Sequence, residues 1–119
     1  MFNRFYPDED VASAYDIPYD ALYREGVRGV IFDVDNTLVP HDAPADERAK
    51  NLFSHLRALG MDTCLLSNNK EPRVAAFAEA VGGSNYIYKG GKPGVQTYKK
   101  AMELMGTGLP STIFVGDQL

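Results

Sequence analysis

Two aspartates stand one residue apart in the stretch Asp33-Val34-Asp35-Asn36-Thr37. Carboxylates this close repel each other unless a cation or a shared proton lies between them. Gly116-Asp117-Gln118 supplies a third acid. Asp33, Asp35 and Asp117, gathered at one place, suit a hard divalent cation held by oxygens and shared with a phosphate. A calcium loop beginning at Asp33 is excluded, because its sixth position is Leu38 rather than Gly and its twelfth is Pro44 rather than Glu. Ser67-Asn68-Asn69 adds hydroxyl, amide and main-chain donors, and Lys92 precedes Pro93 in a glycine-rich stretch. Together these residue types can carry phosphoryl transfer. Asp33 could attack phosphorus and form an aspartyl phosphate, dividing one hard hydrolysis into two easier steps. Asp35 would protonate the leaving oxygen and then activate water. Thr37, Ser67, Asn68 and Lys92 would hold the phosphate oxygens.

Taken singly, each group has a plainer reading. Asp33 and Asn36 could bond nearby main-chain amides in a turn. Ser67 and Asn68 are good helix N-caps, a role that overlaps with anion binding at a helix N-terminus. A loop lysine is ordinarily solvated, and Lys89 competes with Lys92, although the proline beside Lys92 fixes it better. His41 could touch a substrate or simply be exposed, whereas His55, on a helical stripe, and Cys64, inside a strand, read as structural.

The elements that must position these groups follow from hydrophobic patterning. Val27 to Val34 is a short, nearly continuous apolar run, as in a strand buried on both faces. Ala49, Leu52, Phe53, Leu56 and Leu59 recur at helical spacing before Gly60, placed where a helix-terminating glycine stands. Met61 to Leu66 reads as a strand. Val74, Phe77, Ala78 and Val81 form a helical stripe closed by Gly82. Asn85 to Tyr88 reads as a strand; Val95, Tyr98, Met102 and Met105 form a stripe ahead of Gly106; Thr112 to Val115 is a fourth strand. Strands alternating with helices imply an α/β fold, a three-layer, doubly wound, mostly parallel sheet. Ligands bind such sheets outside the C-terminal strand ends, and each of the four polar stretches above directly follows a strand. Residues 1–26 form an aromatic lead-in, with short helices expected near Pro7 and Pro18, the second ended by Gly26, packed on the rest of the chain.

D-V-D-N-T, S-N, K-P and G-D-Q, in this order, resemble the four motifs of the haloacid dehalogenase (HAD) superfamily of phosphatases. The resemblance runs from residue 33 to the chain end and implies a Rossmann-like core. It implies Asp33 as nucleophile, Asp35 as general acid/base, and Mg²⁺ bound by Asp33, the main-chain carbonyl of Asp35 and Asp117. It also implies phosphate contacts from Thr37, Ser67 and Lys92. More closely, the lead-in, D-N-T-L, S-N-N and the G-K-P spacing resemble subfamily IIIA, which includes phosphatidylglycerophosphate phosphatases. Cap insertions in this superfamily follow the first or third strand. Residues 38–47 and 90–93 leave no room for one, so a capless, open site is expected. The superfamily's last motif normally continues to a second acid, then a fifth strand and helix. With the chain ending at Leu119, a truncated core is expected, short of that acid, with an open edge on Thr112–Val115 available for dimerisation.

Length and composition limit what else is possible. One hundred and nineteen residues amount to one domain, expected to span 1–119. Leu, Ile, Val and Phe make up about a quarter of the chain, above the ~20% below which a charged chain fails to order. A net charge of −4, without any run of three basic residues, argues against nucleic acid as a partner. The single cysteine fits a reducing compartment. No stretch approaches the length of a membrane span. The expected protein is cytoplasmic or peripheral at a membrane, acting on a phosphorylated small molecule or lipid head group. Two other classes share parts of the pattern: a response-regulator-like phospho-acceptor, and a binding protein or inert fragment.

Overall fold

The computed structural model describes residues 14–35, 37–40, 43–88 and 95–116, and the main chain of 4–6. Strands β1 (Arg4–Tyr6), β2 (Gly29–Asp33), β3 (Asp62–Leu66), β4 (Asn85–Ile87) and β5 (Thr112–Val115) form one sheet in the order β1-β5-β2-β3-β4. Every pairing is parallel. Helices α1 (Tyr19–Arg24), α2 (Glu47–Leu59), α3 (Glu71–Ala80) and α4 (Val95–Met105) lie between the strands. The four expected strands are all present, and the α/β class holds.

The lead-in departs from expectation. Its second helix forms after Pro18, and Gly26 follows at φ 109°. Residues near Pro7 lie outside those described, although Ala14 and Tyr15 are helical. Arg4–Tyr6, however, is a strand, and it pairs with Ile113–Val115 of β5. The edge of β5 expected to stand open is therefore covered from within the chain. Dimerisation through that edge loses its basis.

Local sequence explains the helix ends. Asp46 caps α2 by accepting the Ala49 N–H at 2.8 Å, one of the donors that a helix start leaves unpaired. Gly60 ends the same helix at φ 99°, a conformation that an L side chain rarely takes, while its N–H bonds the Leu56 and Arg57 carbonyls. Pro72 occupies the first turn of α3, where its missing N–H costs nothing.

Strand residues alternate between the two faces, and both faces are buried. Val30, Phe32, Leu65, Ile113 and Val115 meet Leu22, Phe53, Leu56, Val74 and Phe77 from α1, α2 and α3. Phe32 lies at the centre of that layer, its ring 6.3 Å from Tyr19 and 5.2 Å from Phe53. Ile31, Cys64, Leu66 and Phe114 meet Ala101 and Met105 of α4 on the other face.

Both residues read as structural keep that character. His55 of α2 bonds Asp20 of α1 at 2.7 Å on the surface, and this bond is the main cause holding the Asp20 carboxyl below its usual range. Cys64 is fully buried, and burial pushes its thiol up to about 12. Thiolate is the reactive form, so the native protein should resist a thiol reagent such as 5,5′-dithiobis(2-nitrobenzoate) at pH 8. The expected result is one equivalent of labelling only after denaturant is added, followed at 412 nm.

Candidate active site

Register brings the polar stretches together. Asp33 pairs with Leu66 and Phe32 with Val115, so the chain leaves β2 level with Ser67 on one side and Gly116 on the other. Leu66 pairs with Ile87, and the Ser67 N–H donates to the Ile87 carbonyl at 3.1 Å. The exits of β2, β3 and β5 therefore share one edge of the sheet.

Asp33 is half-buried at the end of β2. Gly116, buried beside it, is a close-approach position: a Cβ there would stand 3.0 Å from the Asp33 Cβ and 2.6 Å from the Phe114 ring. The Tyr98 ring of α4 packs against Phe114, tilted by 59° with ring centroids 5.3 Å apart. Its phenol is pushed up, first by burial and then by the negative charge of Asp33. Asp33 thus belongs to the α4 side of the sheet.

Beyond Asp33 the main chain folds into a tight turn. The N–H groups of Thr37, Leu38 and Val39 all reach the Val34 carbonyl, at 3.4, 3.0 and 3.4 Å. The Leu38 carbonyl accepts the Tyr15 hydroxyl at 2.6 Å, and Arg48 lies 4.3 Å over the Tyr15 ring. Burial pushes the Tyr15 phenol up to about 12, which keeps it a donor at neutral pH. The lead-in thus packs on the rest of the chain, as expected, and braces this turn. Thr37 is wholly buried, and its Oγ1 has no partner among the described residues.

Asp35 faces a different set of neighbours. Its Oδ2 accepts from Asn69 Nδ2 at 3.1 Å and its Oδ1 from Arg73 Nη2 at 3.3 Å. The Asp35 carboxylate thus meets a cation and an amide, while Asp33 lies on the α4 side beside Gly116.

Ser67 is buried, and its Oγ accepts the Asn69 N–H at 3.1 Å. It is not a helix cap. Helix α3 starts at Glu71 with Lys70 in the capping position, so that reading of Ser67 and Asn68 is corrected: the triplet forms a turn ahead of the helix. Asn68 is exposed. Lys92 and Asp117, with Asn36, His41 and Lys89, lie outside the described residues. Among the described residues no three His, Cys, Asp or Glu side chains gather in a metal-binding group.

Asn69, Arg73, Tyr98 and Tyr15 were not singled out as site residues. Asn69 stood in the S-N-N triplet. Arg73 lies in the first turn of α3, and its meeting with Asn69 at Asp35 follows only once the start of that helix is placed. A cleft of about 330 Å³ runs along α3, lined by Pro44, Ala45, Arg73, Ala76, Phe77 and Ala80, so Arg73 stands between it and Asp35.

Residues 39–119 match the haloacid dehalogenase-like hydrolases as a family. A probable phosphatase of Bacillus subtilis, YqeG, is 36% identical over 121 residues, covering all of this chain and 70% of that protein. The chain belongs to the haloacid dehalogenase-like hydrolases. Solved structures share the α/β fold. A candidate 3-deoxy-D-manno-octulosonate 8-phosphate phosphatase from Vibrio cholerae superposes with a TM-score of 0.65 at 18% identity, covering 86% of this chain. A hypothetical protein from Xanthomonas campestris gives 0.65 at 20% identity over 87% of this chain. The chain spans 62% of the length of each of these two structures. No described helix is long and apolar enough to cross a membrane.

Proposed function

We propose that this HAD-family chain is a phosphatase that hydrolyses a phosphate monoester through phosphorylated Asp33. The observation that carries the reading is the shared register. Asp33 pairs opposite Leu66, which Ser67 follows, and Gly116, the residue before Asp117, is in close approach to Asp33. An Asp33 oxygen attacks phosphorus as the bond to the leaving oxygen breaks. Asp35 gives its proton to that oxygen. Water then attacks the phosphorus of the aspartyl phosphate, Asp35 takes the water's proton, and phosphate departs with Asp33 restored. Thr37, Ser67, Asn68 and Lys92 are assigned to the phosphate oxygens; Thr37 Oγ1, buried without a partner among the described residues, suits such a contact.

The donor set also fits a cation. The glycine at 116 lets the main chain leading to Asp117 run against Asp33, as a cation shared by those two carboxylates requires. Mg²⁺ would be held by Asp33, the Asp35 main-chain carbonyl and Asp117. When bound, it would neutralise the approach of an anionic ester to Asp33.

The finer placement in subfamily IIIA, with a phosphatidylglycerophosphate-like or other phosphorylated substrate and a cytoplasmic or membrane-peripheral location, rests on the D-N-T-L, S-N-N and G-K-P pattern. The short connections at 34–46 and 88–94 support an uncapped site. The test is p-nitrophenyl phosphate hydrolysis before and after chelation by EDTA. Turnover should vanish on chelation and return with added Mg²⁺. Full turnover in excess chelator contradicts the cation assignment.

A further inference from the structure

We infer that Arg73, together with Asn69, is a positioning residue that holds the Asp35 carboxylate in one orientation for proton transfer. The inference rests on the function proposed above. Asp35 stands in a turn, where its side chain has two torsions to settle. Its two oxygens are engaged from two separate places, Oδ2 by Asn69 ahead of α3 and Oδ1 by Arg73 within α3. Arg73 is itself fixed. Its Nη2 also donates to the Ala43 carbonyl at 2.6 Å, and its Cζ lies 5.7 Å from the centroid of the Phe77 ring, one helical turn on. The guanidinium thereby ties the β2 exit, the segment ahead of α2, and α3 to one point.

This ion pair is not a solvated surface contact. The side chains of Arg73 and Asp35 are 23% and 17% exposed. The buried Arg73 Nε has no acceptor among the described residues, so the guanidinium is placed for its Nη contacts. A planar fork can hold a carbonyl and a carboxylate oxygen at fixed angles, which a lysine ammonium does not reproduce. A group that gives a proton to the leaving oxygen and later takes one from water gains from such a fixed aim. Misplacement by about 1 Å can cost on the order of 10²-fold in rate.

Two esters separate this role from a purely structural one. p-Nitrophenolate leaves without a proton, whereas the glycerol of glycerol 2-phosphate needs one. In Arg73→Met, the ratio of kcat/KM for p-nitrophenyl phosphate to kcat/KM for glycerol 2-phosphate should rise about tenfold or more, because kcat/KM reports the steps through departure of the leaving group and not the dephosphorylation common to both esters. Arg73→Lys should fall between it and the wild type, and Asn69→Leu should move in the same direction. Asp35→Asn should raise the same ratio, and Arg73→Met added to it should raise it no further. Equal losses of kcat/KM on both esters, which leave the ratio unchanged, overturn the inference. A wild-type chain that cleaves neither ester counts against the proposed function, and the clamp is then read by ¹⁵N NMR. The Asn69 side-chain amide and Arg73 guanidinium signals should both move on Asp35→Asn; if neither moves, the clamp is overturned.

Discussion

Asp33→Asn is expected to lower kcat for p-nitrophenyl phosphate by on the order of 10⁴-fold or more, the scale on which removal of a covalent nucleophile acts. The substitution keeps the shape of the side chain and removes only the charge and the nucleophilic oxygen. The fold should not suffer. Asp33 is half-buried at a strand end, one residue from Asp35, and its charge opposes ionisation of Tyr98. The substitution breaks no strand pairing, since β2 pairs through its main chain. Thermal unfolding should therefore stay close to that of the wild type. Steady-state kinetics beside a melting curve check both parts. An early melt would make the activity loss a folding effect.

Gly116→Ala should damage both stability and activity through one cause. The added methyl would stand 2.6 Å from the Phe114 ring and 3.0 Å from the Asp33 Cβ. Phe114 has little room to yield, because it is 5% exposed and packs against the tilted Tyr98 ring within the layer under α4. Overpacking of this kind costs about 1–3 kcal/mol. The shift needed at Asp33 moves the attacking oxygen, and a displacement near 1 Å costs on the order of 10²-fold. Denaturant titration and kcat/KM measured together test the link. Gly83→Ala is the control for space, as nothing lies within 4 Å of a Cβ there, although φ 110° strains its main chain. Gly83 lies in the link from α3 to β4, so Gly83→Ala should lower stability without a comparable loss of activity.

The main strands and helices were legible because this sheet is buried on both faces. Val30, Ile31 and Phe32 form an unbroken apolar run for that reason, alternate residues meeting opposite helix layers. The glycines at 60, 82 and 106 marked helix ends because all three adopt positive φ. β1 was not legible. Arg4–Tyr6 is too short to show a period, and its pairing is set by the distant edge of β5. Within the site, Asp33, Asp35 and Ser67 were legible from their positions after strands. Asn69 and Arg73 were not, because their meeting at Asp35 depends on where α3 begins. The brace from Tyr15 to Leu38 joins residues 23 apart in sequence, a contact without a local signature. Lys92 and Asp117 were named from the same strand-exit logic and lie outside the described residues.

The central claim is that phosphate passes through Asp33. An acyl phosphate is reduced by borohydride to an alcohol, whereas a free carboxylate is not. Enzyme quenched during turnover of p-nitrophenyl phosphate, treated with borohydride and digested, should show the reduced side chain at residue 33 by mass spectrometry. Enzyme quenched without substrate should not. Turnover with residue 33 unmodified, or with the reduced group at another residue, would contradict the account.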